Sequence, residues 1–229
     1  MFISAEPYPW PHDGHLRPET TALLIIDMQR DFLDDQGYIA SLGYDPAPAR
    51  ALIPGIKALR TVVATWGGLV VQTREGHRPD LSDLPAQKAW RSRRLGPGIG
   101  APGPLGRFLV RGEPGWDIVH ELAPLPGEVV IDKPGYSAFA ATDLERILVS
   151  RGVRHLILCG LTTDVCVHST MRDGTERGYE CLVVGDLCAA TEEENHRAAL
   201  ATITTEGGIF GAVGQAQTLL SAIQGTETD

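Results

Sequence analysis

Apolar runs of four or five residues recur along the chain at 22–26, 69–72, 129–132, 155–159 and 181–184, with a weaker one at 209–213. Runs this short, rich in Val, Ile and Leu and lacking polar alternation, fit strands buried on both faces. Between them the period changes. Over 48–66 the apolar positions fall at Leu52, Ile56, Leu59, Val62 and Val63, and 140–151, 165–178 and 192–206 repeat that helical spacing, with Gly152 and Gly178 as stops. Strands alternating with helices predict an α/β fold around a parallel sheet.

Two stretches break the alternation. Residues 1–19 contain Pro7-Tyr8-Pro9-Trp10-Pro11, too proline-rich for a helix or a central strand. They are expected to form an arm across a surface, anchored by Tyr8 and Trp10, with a neighbouring subunit as one possible support. Residues 20–229 then make a single domain. The segment 74–116 is rich in Gly, Pro and Arg and has no long element. Loops of that length inside a compact domain are usually functional, so this one is expected to wall the active site or form a subunit contact.

Composition narrows the partners. A chain of 229 residues with 43% hydrophobic and 21% charged content fills one core without needing a second. Its charge of −9, without a basic block, disfavours nucleic acid and anionic membrane and points to a small molecule. No apolar stretch approaches the ~20 residues that span a bilayer, and the first residues lack a secretion pattern, so a cytoplasmic protein is expected. Cys159, Cys166, Cys181 and Cys188 match neither a zinc framework nor a disulfide scaffold. Cys159 and Cys181 sit in or beside apolar runs and read as buried hydrophobes, while Cys188 is undecided.

Cys166 differs from them. It follows the run Leu156-Ile157-Leu158 and opens a predicted helix, where the backbone dipole favours a thiolate. Asp27 closes Leu23-Leu24-Ile25-Ile26 in the same way, and Lys133 follows Val129-Val130-Ile131-Asp132. The carboxyl ends of parallel strands line one crevice, so a carboxylate, an ammonium and a thiol distant in sequence can converge there. Singly they pass for an N-cap, a surface lysine and a core thiol; together they make an enzyme-like set. Gly98-Ile99-Gly100-Ala101-Pro102-Gly103 matches a dinucleotide fingerprint, but it follows no strand and contains a proline, and no Walker loop exists. His77 has no ligand partners at useful spacing and reads first as a satisfied or loop-ordering histidine, then as a substrate contact, and last as a metal ligand.

Through Leu24-Ile25-Ile26-Asp27-Met28-Gln29-Arg30-Asp31-Phe32, Asp132-Lys133-Pro134-Gly135-Tyr136-Ser137-Ala138-Phe139 and Gly160-Leu161-Thr162-Thr163-Asp164-Val165-Cys166-Val167, the chain resembles the isochorismatase-like cysteine hydrolases. The resemblance runs from about residue 20 to 220. It implies a three-layer α/β/α fold with a six-stranded parallel sheet, an Asp27-Lys133-Cys166 triad, a cis peptide at Leu161-Thr162, and a homodimer or homotetramer. Nicotinamidases in that family carry an aspartate–histidine metal site where this chain reads Thr73-Arg74-Glu75-Gly76-His77, and isochorismatases proper lack the thiol, so neither substrate is expected. The segments 7–11, 73–80, 111–117, 171–172 and 177–181 look most like those of the biuret-hydrolysing members.

The mechanism this implies needs no metal or cofactor. Asp27 takes the Cys166 proton, Lys133 steadies the thiolate, and the backbone N–H groups of Thr162 and Cys166 bind the oxyanion. Phe32, Tyr136 and Phe139 are expected as flat walls for a planar substrate, with Glu75, Thr163 and Glu206 as polar contacts. A carboxylate at Glu206 would repel an anionic tail, which favours a neutral urea-type substrate, biuret or triuret, over ureidoacrylate. A thiol redox protein and a non-catalytic binding protein are the competing classes; the first wants a resolving cysteine near Cys166, and the second has no use for the triad.

Overall fold

The computed structural model describes residues 1–225 of the chain. Among the described residues nine strands form: β1 (Ala5–Glu6), β2 (Thr21–Ile26), β3 (Leu69–Glu75), β4 (Pro102–Gly103), β5 (Gly106–Arg107), β6 (Val129–Lys133), β7 (His155–Leu161), β8 (Glu180–Ala189) and β9 (Ala212–Gly214). Seven of them make one sheet in the order β1-β9-β8-β7-β2-β3-β6. The six from β9 to β6 are all parallel, as expected, and β1 adds an antiparallel seventh at the edge. That strand makes the sheet seven-stranded where six were expected. Prolines exclude a central strand but leave an edge strand open, so Ala5 and Glu6 pair with Gly214 and Val213. Trp10 is fully buried against His155 of the same subunit, with ring centroids 5.6 Å apart.

Every residue of β2 and β7 is buried, so the centre of the sheet is covered on both faces. Each Val, Leu or Ile enclosed this way contributes roughly 1.5–3 kcal/mol. The helices are α1 (Arg30–Leu33), α2 (Tyr38–Ser41), α3 (Ala47–Arg50), α4 (Ile53–Trp66), α5 (Ala86–Ser92), α6 (Leu144–Ser150), α7 (His168–Glu176), α8 (Glu193–Gly208) and α9 (Ala216–Gly225). In α4, Ile53, Ile56, Leu59 and Val63 are buried, a stripe at helical period, and Gly67 ends the helix in the left-handed region that glycine adopts freely. The periodicity had placed α3 and α4 in one run; Pro46 and Pro54 accompany their division. The segment 74–116 is not element-free. It holds α5, the β4–β5 hairpin and a 3₁₀ turn at Pro114–Trp116. None of the described helices is long and apolar enough to cross a membrane.

Candidate active site

Strand register assembles the site. β7, β2, β3 and β6 lie side by side, with Ile26 opposite Gly160 and Glu75 opposite Lys133. Asp27, Glu75, Lys133 and the turn after β7 therefore open on one carboxyl edge. β7 approaches β2 this closely because residue 160 is glycine: its φ is +107°, and a Cβ there would run into the Ile26 backbone. Asp27 sits at φ +51°, a left-handed conformation that aspartate tolerates better than most residues and that clusters at functional sites. Its N–H donates to Thr73 Oγ1 at 3.1 Å, and the Thr73 hydroxyl donates to Asp27 Oδ1 at 2.6 Å.

The three residues singled out from sequence converge. Lys133 Nζ stands 2.7 Å from Asp27 Oδ2 and 3.6 Å from Glu75 Oε2, and donates to Gly135 O at 2.9 Å. Cys166 lies in a π-helical turn, Thr163–Val167, that runs into α7. Its Sγ donates to Glu75 Oε2 at 3.3 Å. The expected cis peptide Leu161-Thr162 precedes this turn. Asp27, Glu75 and Cys166 bring ligand-type atoms within 4.8 Å of one another, a spacing that could hold a metal ion. The Lys133 ammonium already stands against both carboxylates, so the chain supplies that cation itself.

Two supporting residues were not found from sequence. Lys88, on α5, is nearly buried and sends Nζ to Glu75 Oε1 at 2.7 Å and to Pro134 O at 2.8 Å, beneath the Tyr136 ring. Gln29 clamps the backbone of Glu75: its Oε1 accepts from Glu75 N–H at 2.6 Å, and its Nε2 donates to Glu75 O at 2.9 Å and Trp116 O at 2.8 Å. The cluster thus holds two carboxylates, two ammoniums and a thiol. The seven mixed residues of α5 around Lys88 give no periodic signal; Gln29 lies within the Asp27 motif but carries no role readable from it.

Burial and charge set the protonation of these groups in different directions. Burial raises the Asp27 carboxyl above its ordinary value, with Lys133 only partly opposing the shift. Burial acts the same way on Glu75, but Lys133 and Lys88 outweigh it and hold that carboxyl low. Lys133 is pulled down by burial and up by Asp27, Cys166 and Glu75, and stays an ammonium. Burial also raises the Cys166 thiol well above its ordinary range; Lys133 lowers it, and Asp27 and Glu75 raise it further. Burial first, and the two carboxylates after it, thus oppose the thiolate that the helix dipole favours.

A cavity of about 350 Å³ leads to Sγ, with Phe32, Tyr136, Ile39, Ile99 and Leu109 among its walls and Thr162, Asp164 and Cys166 in its lining. Segment 74–116 contributes Glu75, Lys88, Arg91, Ser92, Ile99 and Leu109, so it does wall the site. A larger cleft of about 620 Å³, between Arg30, Arg50 and Arg74, contains none of the triad. Phe32, Glu75, Tyr136 and Thr162 line this cavity beside Cys166. Phe139, Thr163 and Glu206 do not line it. Phe139 is core, stacked on Tyr179 at 5.8 Å. Thr163 is fully buried with Oγ1 2.8 Å from His196 Nδ1. Glu206 is exposed at φ +52° in a kink over Thr205–Gly207 that interrupts α8. The argument against anionic tails that rested on Glu206 therefore loses its footing in this pocket.

His77 orders its loop, as expected: it is buried, its Nδ1 lies 3.2 Å from Asp83 Oδ1, and its backbone bonds to Leu109 and Arg111. Cys159, Cys181 and Cys188 are buried free thiols.

Comparison with known proteins agrees with this geometry. The model of the isochorismatase domain matches residues 21–216. A cysteine hydrolase from Pseudomonas syringae pv. phaseolicola superposes with a TM-score of 0.78 at 26% identity, covering 98% of each chain. An isochorismatase family protein from Desulfovibrio vulgaris gives 0.73 at 27% identity, over 90% of this chain and 98% of that one. A nicotinamidase from Bacillus subtilis gives 0.68 at 27% identity, over 86% of this chain and all of the other.

Proposed function

Because this chain belongs to the isochorismatase family of hydrolases, we propose that it is a cysteine-dependent amidohydrolase that cleaves biuret to allophanate and ammonia. The observation that carries the reading is the Asp27–Lys133 pair held against Glu75 and the Cys166 thiol at the floor of a small, flat-walled cavity. The similar nicotinamidase is named for hydrolysis of an amide, which is the same bond class.

Asp27 takes the Cys166 proton and the sulfur attacks a urea-type carbonyl, with Lys133 balancing the charge. The N–H groups of Thr162 and Cys166 hold the oxyanion, where one lost donor typically costs about 10²–10³ in rate. When the C–N bond breaks, Asp27 returns the proton to the departing nitrogen, which leaves as ammonia. Water then cleaves the thioester and releases a carboxylate. Urea carbonyls are poor electrophiles, so orientation matters as much as nucleophilicity. Phe32 and Tyr136 suit a planar molecule, and the carboxylates of Glu75 and Asp164 suit one rich in N–H donors. Asp164 Oδ1 is buried and accepts no hydrogen bond among the described residues.

Arg91 favours a second reading. It stands exposed in the cavity lining and makes no ion pair among the described residues, which suits a ureido substrate with a carboxylate, such as ureidoacrylate. Ammonia release from biuret, triuret, ureidoacrylate, N-carbamoyl amino acids and nicotinamide, with Cys166→Ser beside the wild type, separates the two. Biuret or triuret turnover lost in the variant supports the first reading. Turnover confined to carboxylate-bearing compounds supports the second, and no turnover by the wild type overturns both.

A further inference from the structure

We infer that the two carboxylates flanking Cys166 divide the reaction between them, Asp27 serving acylation and Glu75 serving as the base that activates water for thioester hydrolysis, with Lys88 as the positioning residue of Glu75. The inference rests on Cys166 as the nucleophile and adds a role for Glu75 and Lys88 that the triad does not contain.

The hydrogen-bond inventory separates the two carboxylates. In Asp27, Oδ1 takes the Thr73 hydroxyl and Oδ2 lies 2.7 Å from Lys133 Nζ as an ion pair. In Glu75 only Oε1 is tied, to Lys88 at 2.7 Å. Oε2 accepts the Cys166 thiol at 3.3 Å, with Lys133 farther off at 3.6 Å. Acylation removes the S–H. The oxygen that held it is then left beside the acyl carbon with a lone pair to receive a proton from water.

The second step balances without any added reagent. Glu75 Oε2 takes one proton as water attacks the thioester carbonyl, the C–S bond breaks, and the departing sulfur takes that proton back from Glu75. The product is freed as the acid, which keeps the second proton of water and loses it to solvent. The contact this regenerates, Cys166 S–H donating to Glu75 Oε2, is the one observed in the resting site. Divergent environments fit the same division: the carboxyl raised by burial is suited to carry a proton from sulfur to nitrogen, while the one held low is a carboxylate in the resting site, with a lone pair free to take a proton from water. The groups facing Glu75 are Lys88 from α5, Lys133 from β6, Asp27 at the end of β2, Cys166, and more distantly Tyr38 and His77. Of these, Lys88 is the cation bonded to Glu75 without also pairing with Asp27.

The test uses p-nitrophenyl acetate, an activated ester whose acylation step is visible whatever the natural amide. Glu75→Gln is expected to show a full burst of nitrophenolate, one per site, and a steady-state rate lower by about 100-fold or more. The variant protein should carry the mass of one acetyl group on Cys166. Lys88→Met should keep the burst and move the acid limb of the steady-state pH profile upward by about one unit, since a neutral side chain no longer holds Glu75 low. Glu75→Asp should recover part of the rate. A Glu75→Gln enzyme with steady-state turnover within threefold of wild type overturns the inference. So does one that loses the burst while Cys166 still reacts with iodoacetamide, and so does a Lys88→Met limb that does not move. Should Glu75→Gln fail to fold, Lys88→Met and Glu75→Asp decide the matter. If the ester assay behaves as expected while no urea-type amide turns over, the substrate reading falls and the division of labour stands. A wild type that the ester does not acylate overturns both.

Discussion

Lys133 Nζ and Asp27 Oδ2 meet at 2.7 Å with both side chains sealed from solvent. An ion pair so deeply buried gives little net stability compared with an apolar pair, but breaking it from one side strands a charge. Lys133→Met is expected to cost about 3–5 kcal/mol in denaturant unfolding, and Lys133→Met with Asp27→Asn to recover much of that loss while remaining inactive. A double variant no more stable than the single one would contradict the pairing.

Alkylation reports the state of the nucleophile. With burial, Asp27 and Glu75 holding the Cys166 thiol above its ordinary range, iodoacetamide should label Cys166 slowly at neutral pH and faster only well into alkaline solution. Glu75→Gln removes one of the flanking negative charges and should shift that profile toward lower pH. A profile typical of a free thiol in the wild type would count against the arrangement.

Asp31 links α1 to the loop before the 3₁₀ turn, accepting Leu109 N–H at 2.8 Å on Oδ2. Burial lifts its pKa from 3.8 to about 6. The folded chain therefore binds this proton more tightly than the unfolded one, so the contribution to stability is fullest below pH 3.8 and is lost as pH rises toward about 6. Urea midpoints across that window should show a decline in the wild type that Asp31→Asn lacks.

Gly160→Ala places a methyl group against the Ile26 backbone at a φ that alanine resists. The expected result is a loss of roughly 2 kcal/mol or more, with activity falling because β2 and the Cys166 turn separate. Thermal unfolding together with turnover checks it; an unchanged Tm would mean the contact relaxes without cost.

Wall and core residues should respond differently. Phe32→Ala is expected to raise KM with a modest effect on Tm, whereas Phe139→Leu should lower Tm and leave KM unchanged. Kinetics and melting curves on the same preparations distinguish them.

Asp27, Lys133 and Cys166 were legible because strand ends in a parallel sheet are predictable from apolar runs, and the chemistry sits just beyond each run. What periodicity does not encode is the direction of a side chain in the turn that follows. Phe139 and Thr163 are only six and three residues from Lys133 and Cys166, yet they point into the core and toward His196. Lys88 was hidden for another reason: its seven-residue helix lies among glycines, prolines and arginines, and its partner Glu75 is brought to it by tertiary packing alone. Glu206 failed where α8 kinks, an interruption that leaves its apolar spacing almost undisturbed.

The N-terminal arm has a consequence of its own. β9 would otherwise present three residues of unpaired backbone at the rim of the sheet, and β1 occupies that position while Trp10 closes over His155. A chain trimmed to begin where the matched domain begins, at residue 21, would retain Asp27, Lys133 and Cys166 but expose a ready template for pairing with other molecules. Loss of the arm is therefore expected to show first in shelf life and solubility.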